Sequence, residues 1–255
     1  MSLSKALHWA KESSEFCCQT RKSTVPNGLA NTAKSMPGTM TDSRHGSRRQ
    51  PRTRGGDSSE MANRVFFRFH YQDVIDFRAN VVRNHWLTKP DSEAAGFFDA
   101  SLWEASKKNG GDPALKKLID EGLENTSNTC VLIGTETWMR PWVRYEILKS
   151  FKRGNSQFGV NINGVKGRDG RIKFAGPNPF LYVGVTFSED GRSATLWQKI
   201  SEQWVEYSMI DNGSTYSCTQ VAAQYRGKGF NVSSFYKLYD WQTDDGFNDF
   251  SSWLR

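Results

Sequence analysis

At 255 residues and 29.0 kDa, with 37% hydrophobic and 24% charged residues, the chain is long enough for one or two packed domains. Its net charge of +7 is uneven: the first 60 residues hold ten Lys/Arg against five Asp/Glu, so the sequence pI of 9.2 mostly reports a basic leading segment and excludes no acidic-substrate chemistry, while giving no warrant for a nucleic-acid-binding domain. No apolar run approaches the ~20 residues needed to span a bilayer, the N-terminus lacks a signal-peptide design, and Cys17, Cys18, Cys130 and Cys218 have neither zinc nor disulfide spacing, which suits a reducing cytoplasm.

Residues 1–60 are rich in Ser, Thr, Gly, Pro and Arg and show almost no apolar periodicity after Phe16, so they cannot bury enough surface to offset their ordering entropy. Disorder is expected there. Met61 opens MANRVFF and is a candidate for the true start; a basic arm that touches nucleic acid or membrane is the alternative use of the segment. Val65–Phe69 reads as a first strand, apolar except for Arg68, and Val74, Phe77 and Val81 mark an amphipathic helix to about Asn84. GFFDA, residues 96–100, predicts a second strand, followed by a loop, SLWEASKKNGG. Asp112 caps and Pro113 opens the next helix, which turns Leu115, Leu118, Ile119, Gly122 and Leu123 inward.

The stretch Thr129–Asn155 carries the clearest grammar. Cys130-Val131-Leu132-Ile133 followed by Gly134 reads as a strand buried on both faces. Pro141 suits a first helical turn, Val143, Ile147, Ser150 and Phe151 recur at helical spacing, and Gly154 ends the helix. Trp142 and Glu146, four apart, share one flank near the helix start, at the rim of the crevice where open α/β sheets bind nucleotides. Another strand is expected near Phe158–Ile162. Strand and helix alternating at ~30-residue intervals imply right-handed crossovers and a parallel sheet.

From Asn163 the pattern changes. NGVKGRDGR and AGPNPF are loop signals, LYVGVTF and ATLWQKI flank SEDGRS as a hairpin, and QWVEYSM suggests a further strand, so a β-rich insertion is expected at about 163–230. Phe235–Trp241 predicts the last strand of the main sheet. A terminal helix should follow, with Phe247, Phe250, Trp253 and Leu254 facing inward. The histidines, His8, His45, His70 and His85, form no metal pattern.

A lone Glu on an amphipathic helix is ordinarily a solvated residue. The motifs around it add more. RVFFRFHYQDV, VVRNHW, GFFDASLWE, TCVLIGTETW, WVRYEI, GPNPF and YDWQTDDGFNDFSSW, spread in order over nearly all of 61–255, resemble the TIR-like proteins of Thoeris anti-phage defence systems. The resemblance implies a flavodoxin-like TIR domain over 61–255, a parallel sheet flanked by helices with a β-rich insertion before the last strand. It also implies an NAD+ glycohydrolase and cyclase with Glu146 as the catalytic residue and NAD+ as substrate, not as a resident cofactor. Arg68, Phe69, His70 and Tyr71 match the loop that lines the site, Asp99 and the segment through Trp103 match the cover over the nucleotide, and Trp142 precedes the catalytic position. The implied partners are a phage-derived trigger and a separate effector reached through a diffusible cyclic ADP-ribose isomer, with a homo-oligomer as an option and neither membrane nor nucleic acid. A non-catalytic TIR module that senses a phage component or scaffolds partners is the alternative.

Each of these positions also has an ordinary structural reading. Trp142 and Trp103 suit a core as well as a stacking platform, His70 suits a polar surface, and Asp99 suits a loop cap. Relatives usually carry Ser where this chain has Arg68. Either the guanidinium pairs with the dinucleotide phosphates, or it fills the space the ribose needs. On the chemical side, the nicotinamide of NAD+ departs from a cationic pyridinium and leaves neutral. No general acid has to protonate it, and one carboxylate stabilising the ribosyl cation is enough.

Overall fold

The computed structural model describes residues 63–90, 92–95 and 100–254. Strand β1 (Asn63–Arg68) leads to helices α1 (Tyr71–Ile75) and α2 (Arg78–Leu87), then to β2 (Ser92–Ala95), α3 (Ala100–Leu123), β3 (Asn128–Ile133), α4 (Pro141–Arg153) and β4 (Ser156–Asn161). The insertion supplies β5 (Val183–Phe187), β6 (Ser193–Ile200), β7 (Gln203–Glu206), β8 (Thr215–Ser217) and β9 (Gly229–Asn231). The chain then returns through β10 (Lys237–Asp240) and a short α5 (Gly246–Asp249).

The main sheet is parallel throughout, in the order β10-β4-β3-β1-β2. Counting only its own strands, this is the 2-1-3-4-5 order of doubly wound, flavodoxin-like domains, whose crevice opens where β1 and β3 send their connections to opposite faces. Alternation along β1 divides the core. Phe66 joins Val131, Ile133 and residues of α3 and α4 on one face, while Val65 and Phe67 join Cys130, Leu132 and residues of α2 on the other. The central strand β3 is buried on both faces, as its unbroken apolar run implies.

Four expectations are corrected. The helix read across residues 74–84 is two, because Phe77 adopts a left-handed backbone (φ 66°) between α1 and α2. That break rotates the register: Phe77 and Val81 are exposed, and Arg78, Ala79, Val82, His85 and Trp86 face inward instead. The second strand lies at Ser92–Ala95, paired with β1 from Asn63↔Ser92 onward, and residues 96–99 of the expected GFFDA strand fall outside the described residues. A poor β-former such as SEAA is carried by backbone pairing at the sheet edge, where propensity decides least. The stretch read as the loop SLWEASKKNGG is helical from Ala100 and forms the first part of α3, which kinks at Gly111 (φ 58°, ψ −147°) before the expected segment resumes at Asp112-Pro113. Finally, the terminal helix is one short α turn plus a 3₁₀ segment, Phe250–Trp253; Phe250 and Trp253 are buried, but Phe247 is exposed.

The insertion is a second, antiparallel sheet, β7-β6-β5-β9 with β8 on the far part of β6, and the β5–β6 hairpin is the one the sequence shows. It does not stand apart from the main domain. Val183, Val185, Leu196 and Tyr207 share a core cluster with Val143, Ile147 and Leu148 of α4, and Arg144 of α4 donates to Lys199 O at 3.1 Å. Helix α4 is thereby buried on two sides, which the single stripe in its sequence does not reveal: Tyr145 and Leu148 are enclosed as fully as Val143 and Ile147. The expected disorder of 1–60 and the candidate start at Met61 lie outside the described residues.

Candidate active site

The carboxyl ends of β1 and β3, the crevice of this sheet order, are where side chains with chemistry gather. Gly134 closes β3, and its N–H donates to Thr137 Oγ1 at 2.9 Å, folding the chain into a 3₁₀ turn at Thr137–Met139 that aims α4 back across the sheet. Pro141 takes the first position of α4 and Gly154, left-handed at φ 80°, ends it. Glu146 falls in the second turn, facing inward with none of its surface exposed.

Arg68, the last residue of β1, is on the Phe66 face and is 4% exposed. Its guanidinium forms an ion pair with Glu146 and lies over the Phe66 ring, 5.4 Å from the centroid. Beyond that ion pair, neither Glu146 oxygen nor Arg68 Nε has a hydrogen-bond partner among the described residues. Burial pulls the Arg68 guanidinium down to about 9, so it stays charged at neutral pH beside the carboxylate that balances it. A buried pair kept for stability is normally braced by further hydrogen bonds that satisfy its remaining lone pairs and protons. Among the described residues no such bracing reaches Arg68 Nε or either Glu146 oxygen.

The other expected residues divide. His70 is half-buried at the start of α1, and its imidazole is held below its ordinary value by burial and then by Arg140 and Lys173, against the opposing pull of Glu136 and Asp76. Phe69 packs against the cluster on the opposite face of the sheet from Phe66. Tyr71 is exposed. Trp142 is half-buried, with its ring edge-on to Tyr145 at 5.6 Å, and joins the core shared by α4 and the insertion. Asp99 lies outside the described residues, and of Trp103 only the backbone, in the first part of α3, lies within them.

One acidic residue at this edge escapes sequence reasoning. Asp73, in α1, is 3% exposed and its carboxylate sits directly over Gly134, where any side chain at 134 would collide with it. Its Oδ2 has no hydrogen-bond partner among the described residues, and burial pushes the group up to about 6, with Lys173 opposing. The only available signal was Gly134 itself, a position with no room for a Cβ.

A strap of residues 163–178 crosses the same edge. Asn163 Nδ2 donates to Ile133 O at 3.1 Å, and Thr135 Oγ1 lies 2.8 Å from Phe174 O. Gly176 packs against the backbone of Gly134 and Thr135 too closely for a side chain. Arg78, fully buried, clamps the strap from beneath by donating to Val165 O at 3.0 Å and Arg171 O at 2.6 Å, while Asp76 pairs with Arg78 and Lys173. Among the described residues no cluster of His, Cys, Asp or Glu could hold a metal ion, and no helix is long and apolar enough to cross a membrane.

A 2-1-3-4-5 parallel sheet flanked by helices, with an inward carboxylate on the helix after β3, makes this a flavodoxin-like α/β domain, and its sequence relatives place it among the TIR-like ones. The model of the family described as Thoeris protein ThsB, TIR-like domain, matches residues 66–167. A protein of Bacillus cereus (strain MSX-D12), provisionally named cyclic ADP-D-ribose synthase ThsB1, is 55% identical over 196 residues, which cover 76% of this chain and 100% of that relative. The chain belongs to the family of Thoeris protein ThsB.

Proposed function

We propose that this chain cleaves the nicotinamide–ribose bond of NAD+ and closes the ribosyl product into a cyclic ADP-ribose isomer, with Glu146 as the catalytic carboxylate, as a step in anti-phage defence. The observation that carries the reading is Glu146 itself: a fully enclosed carboxylate at the sheet's switch point that, beyond its pair with Arg68, has no hydrogen-bond partner among the described residues. The identity to a relative named for cyclic ADP-D-ribose synthesis supports the reaction class.

The chemistry follows from the charge balance. As the C1′–N bond breaks, its electron pair goes to nicotinamide, which leaves neutral, and positive charge develops on the ribosyl carbon. A carboxylate in a dry cleft stabilises that charge more than water does and needs no reorganisation to do so. Glu146 accepts the ribose hydroxyls on the nicotinamide side, which fixes C1′ beside it. A nucleophile from the adenosine half then attacks C1′ in place of water and releases a proton where its attacking atom carried one. A carboxylate with no exposed surface favours this closure over hydrolysis, since water is the competing nucleophile.

In this reading NAD+ is the substrate, a phage-derived component is the trigger, and a separate effector responds to the diffusible product. His70, Asp73 and Trp142 contribute to the crevice in this reading, and Asp99 and Trp103 stay candidate substrate contacts. The rival reading, a non-catalytic TIR module, draws on the occupied state of Glu146, whose partner is a side chain of the same molecule. Chromatography of NAD+ incubated with wild type and Glu146→Gln, each with and without lysate of phage-infected cells, separates the two. A cyclic product made by wild type alone supports the enzyme; identical nucleotide profiles for both proteins in both conditions reject it.

A further inference from the structure

Arg68 and the substrate are two cations with claims on one carboxylate. NAD+ brings a pyridinium whose charge passes to the ribosyl carbon beside Glu146. In the structure a guanidinium already stands there, almost wholly buried, paired with Glu146 and supported on the Phe66 ring. Both cannot occupy the carboxylate at once, for steric reasons and because like charges in a low-dielectric cleft repel strongly.

We propose that Arg68 is an internal plug: its guanidinium holds the Glu146 carboxylate in the resting protein, and NAD+ engages the site only when that side chain swings away. The inference rests on the reading of Glu146 as the catalytic group. Three features set the plug apart from a structural salt bridge. Among the described residues no further hydrogen bond reaches Arg68 Nε or either Glu146 oxygen, so the pair is not braced there as a buried pair normally is. Arg68 is the last residue of β1 and lies beyond that strand's pairing with β2, which ends at Phe66↔Ala95. And the carboxylate has no exposed surface while the pair is made, so substrate access and pair breaking are one event.

A plug makes a specific kinetic demand. If only a fraction of molecules is unplugged, the apparent KM for NAD+ is raised by the inverse of that fraction. Removing the guanidinium should therefore lower KM, whereas an arginine that grips the dinucleotide phosphates would raise KM when lost. A residue that matters only for folding would leave KM alone.

The test uses the full chain as wild type, Arg68→Ser, Arg68→Lys, Glu146→Gln and the Arg68→Ser/Glu146→Gln double variant, with initial rates of nicotinamide release measured across NAD+ concentration in buffer. Arg68→Ser should release nicotinamide about tenfold faster than wild type at low NAD+, within the ~5- to 150-fold range typical of internal coupling, through a lower KM. Arg68→Lys, which keeps the charge but loses the fork, should fall between them. The double variant should be as inactive as Glu146→Gln. Should thermal melting show Arg68→Ser unfolded, Arg68→Lys carries the test, and an unchanged or raised KM in that variant overturns the plug. No release from folded Arg68→Ser, or a KM above wild type, overturns it as well. If these fail while Glu146→Gln is inactive in infected lysate, the catalytic reading survives without the plug; if Glu146→Gln works as well as wild type, that reading itself falls.

Discussion

Replacing Glu146 by Gln should destabilise the protein as well as silence it, because it leaves the Arg68 guanidinium buried without its counter-charge. The drop of Arg68 to about 9 from an arginine's ordinary value corresponds to roughly 5 kcal/mol of burial penalty on the charged form. Removal of one partner from buried pairs elsewhere costs about 3–5 kcal/mol, an independent figure of the same size. For a domain of this size about 1 kcal/mol moves the midpoint by ~2–4 °C, so Glu146→Gln should melt roughly 6–20 °C below wild type. Removing Arg68 in addition lifts the penalty, and the Arg68→Ser/Glu146→Gln double variant should recover most of the loss, a coupling of about 3 kcal/mol in a double-mutant cycle. Thermal and urea denaturation followed by circular dichroism measure it. A Glu146→Gln protein that melts within about 2 °C of wild type, or a double variant as unstable as the single one, would refute the reasoning that the two charges are buried together.

Further predictions rest on the neighbouring residues. Asp73 has a folded value raised to about 6, so the fold holds its proton more tightly than the unfolded chain does; this contribution is present at low pH and is lost as pH rises through about 4 to 6. Asp73→Asn should therefore gain on wild type by up to ~3 kcal/mol above pH 6, with the gain shrinking toward pH 4, and urea titrations at pH 5, 6 and 8 that show a constant difference would reject it. Gly134→Ala places a methyl group onto the Asp73 carboxylate and should cost about 1–3 kcal/mol, the range for forcing atoms into a packed site, with part of that loss relieved in Gly134→Ala/Asp73→Ala. Arg78→Met removes the clamp beneath the strap while keeping its bulk; limited proteolysis should then cut within 163–178 several-fold faster, and unchanged cutting would mean the strap is held by Thr135 and Asn163 alone.

The sheet and its central helix were legible because their signals are local: an unbroken apolar run for β3, proline and glycine at the two ends of α4, and alternation in the β5–β6 hairpin. The errors share a physical origin in tertiary context. Phe77 takes a left-handed backbone that its side chain disfavours, and the inner face of α2 turned with it. SEAA became a strand through pairing with β1 and not through propensity. Glu146 looked like a flank residue because one apolar stripe is all a helix needs when one partner covers it; the insertion covers the other side, so the flank is interior too. Arg68 could be singled out as a departure from related motifs, but its contact with Glu146 joins residues 78 positions apart, and no local pattern encodes such a pairing. Asp73 was missed because its burial depends on the strap and on the bare Cα of Gly134, both distant in sequence.

The most direct test of the central claim is nicotinamide release from NAD+ in lysate of phage-infected cells, with Glu146→Gln first shown to be folded at the assay temperature. Release by wild type that falls at least a hundredfold in Glu146→Gln, about 3 kcal/mol of transition-state stabilisation, is the expected result. Equal release by the two proteins would contradict the account.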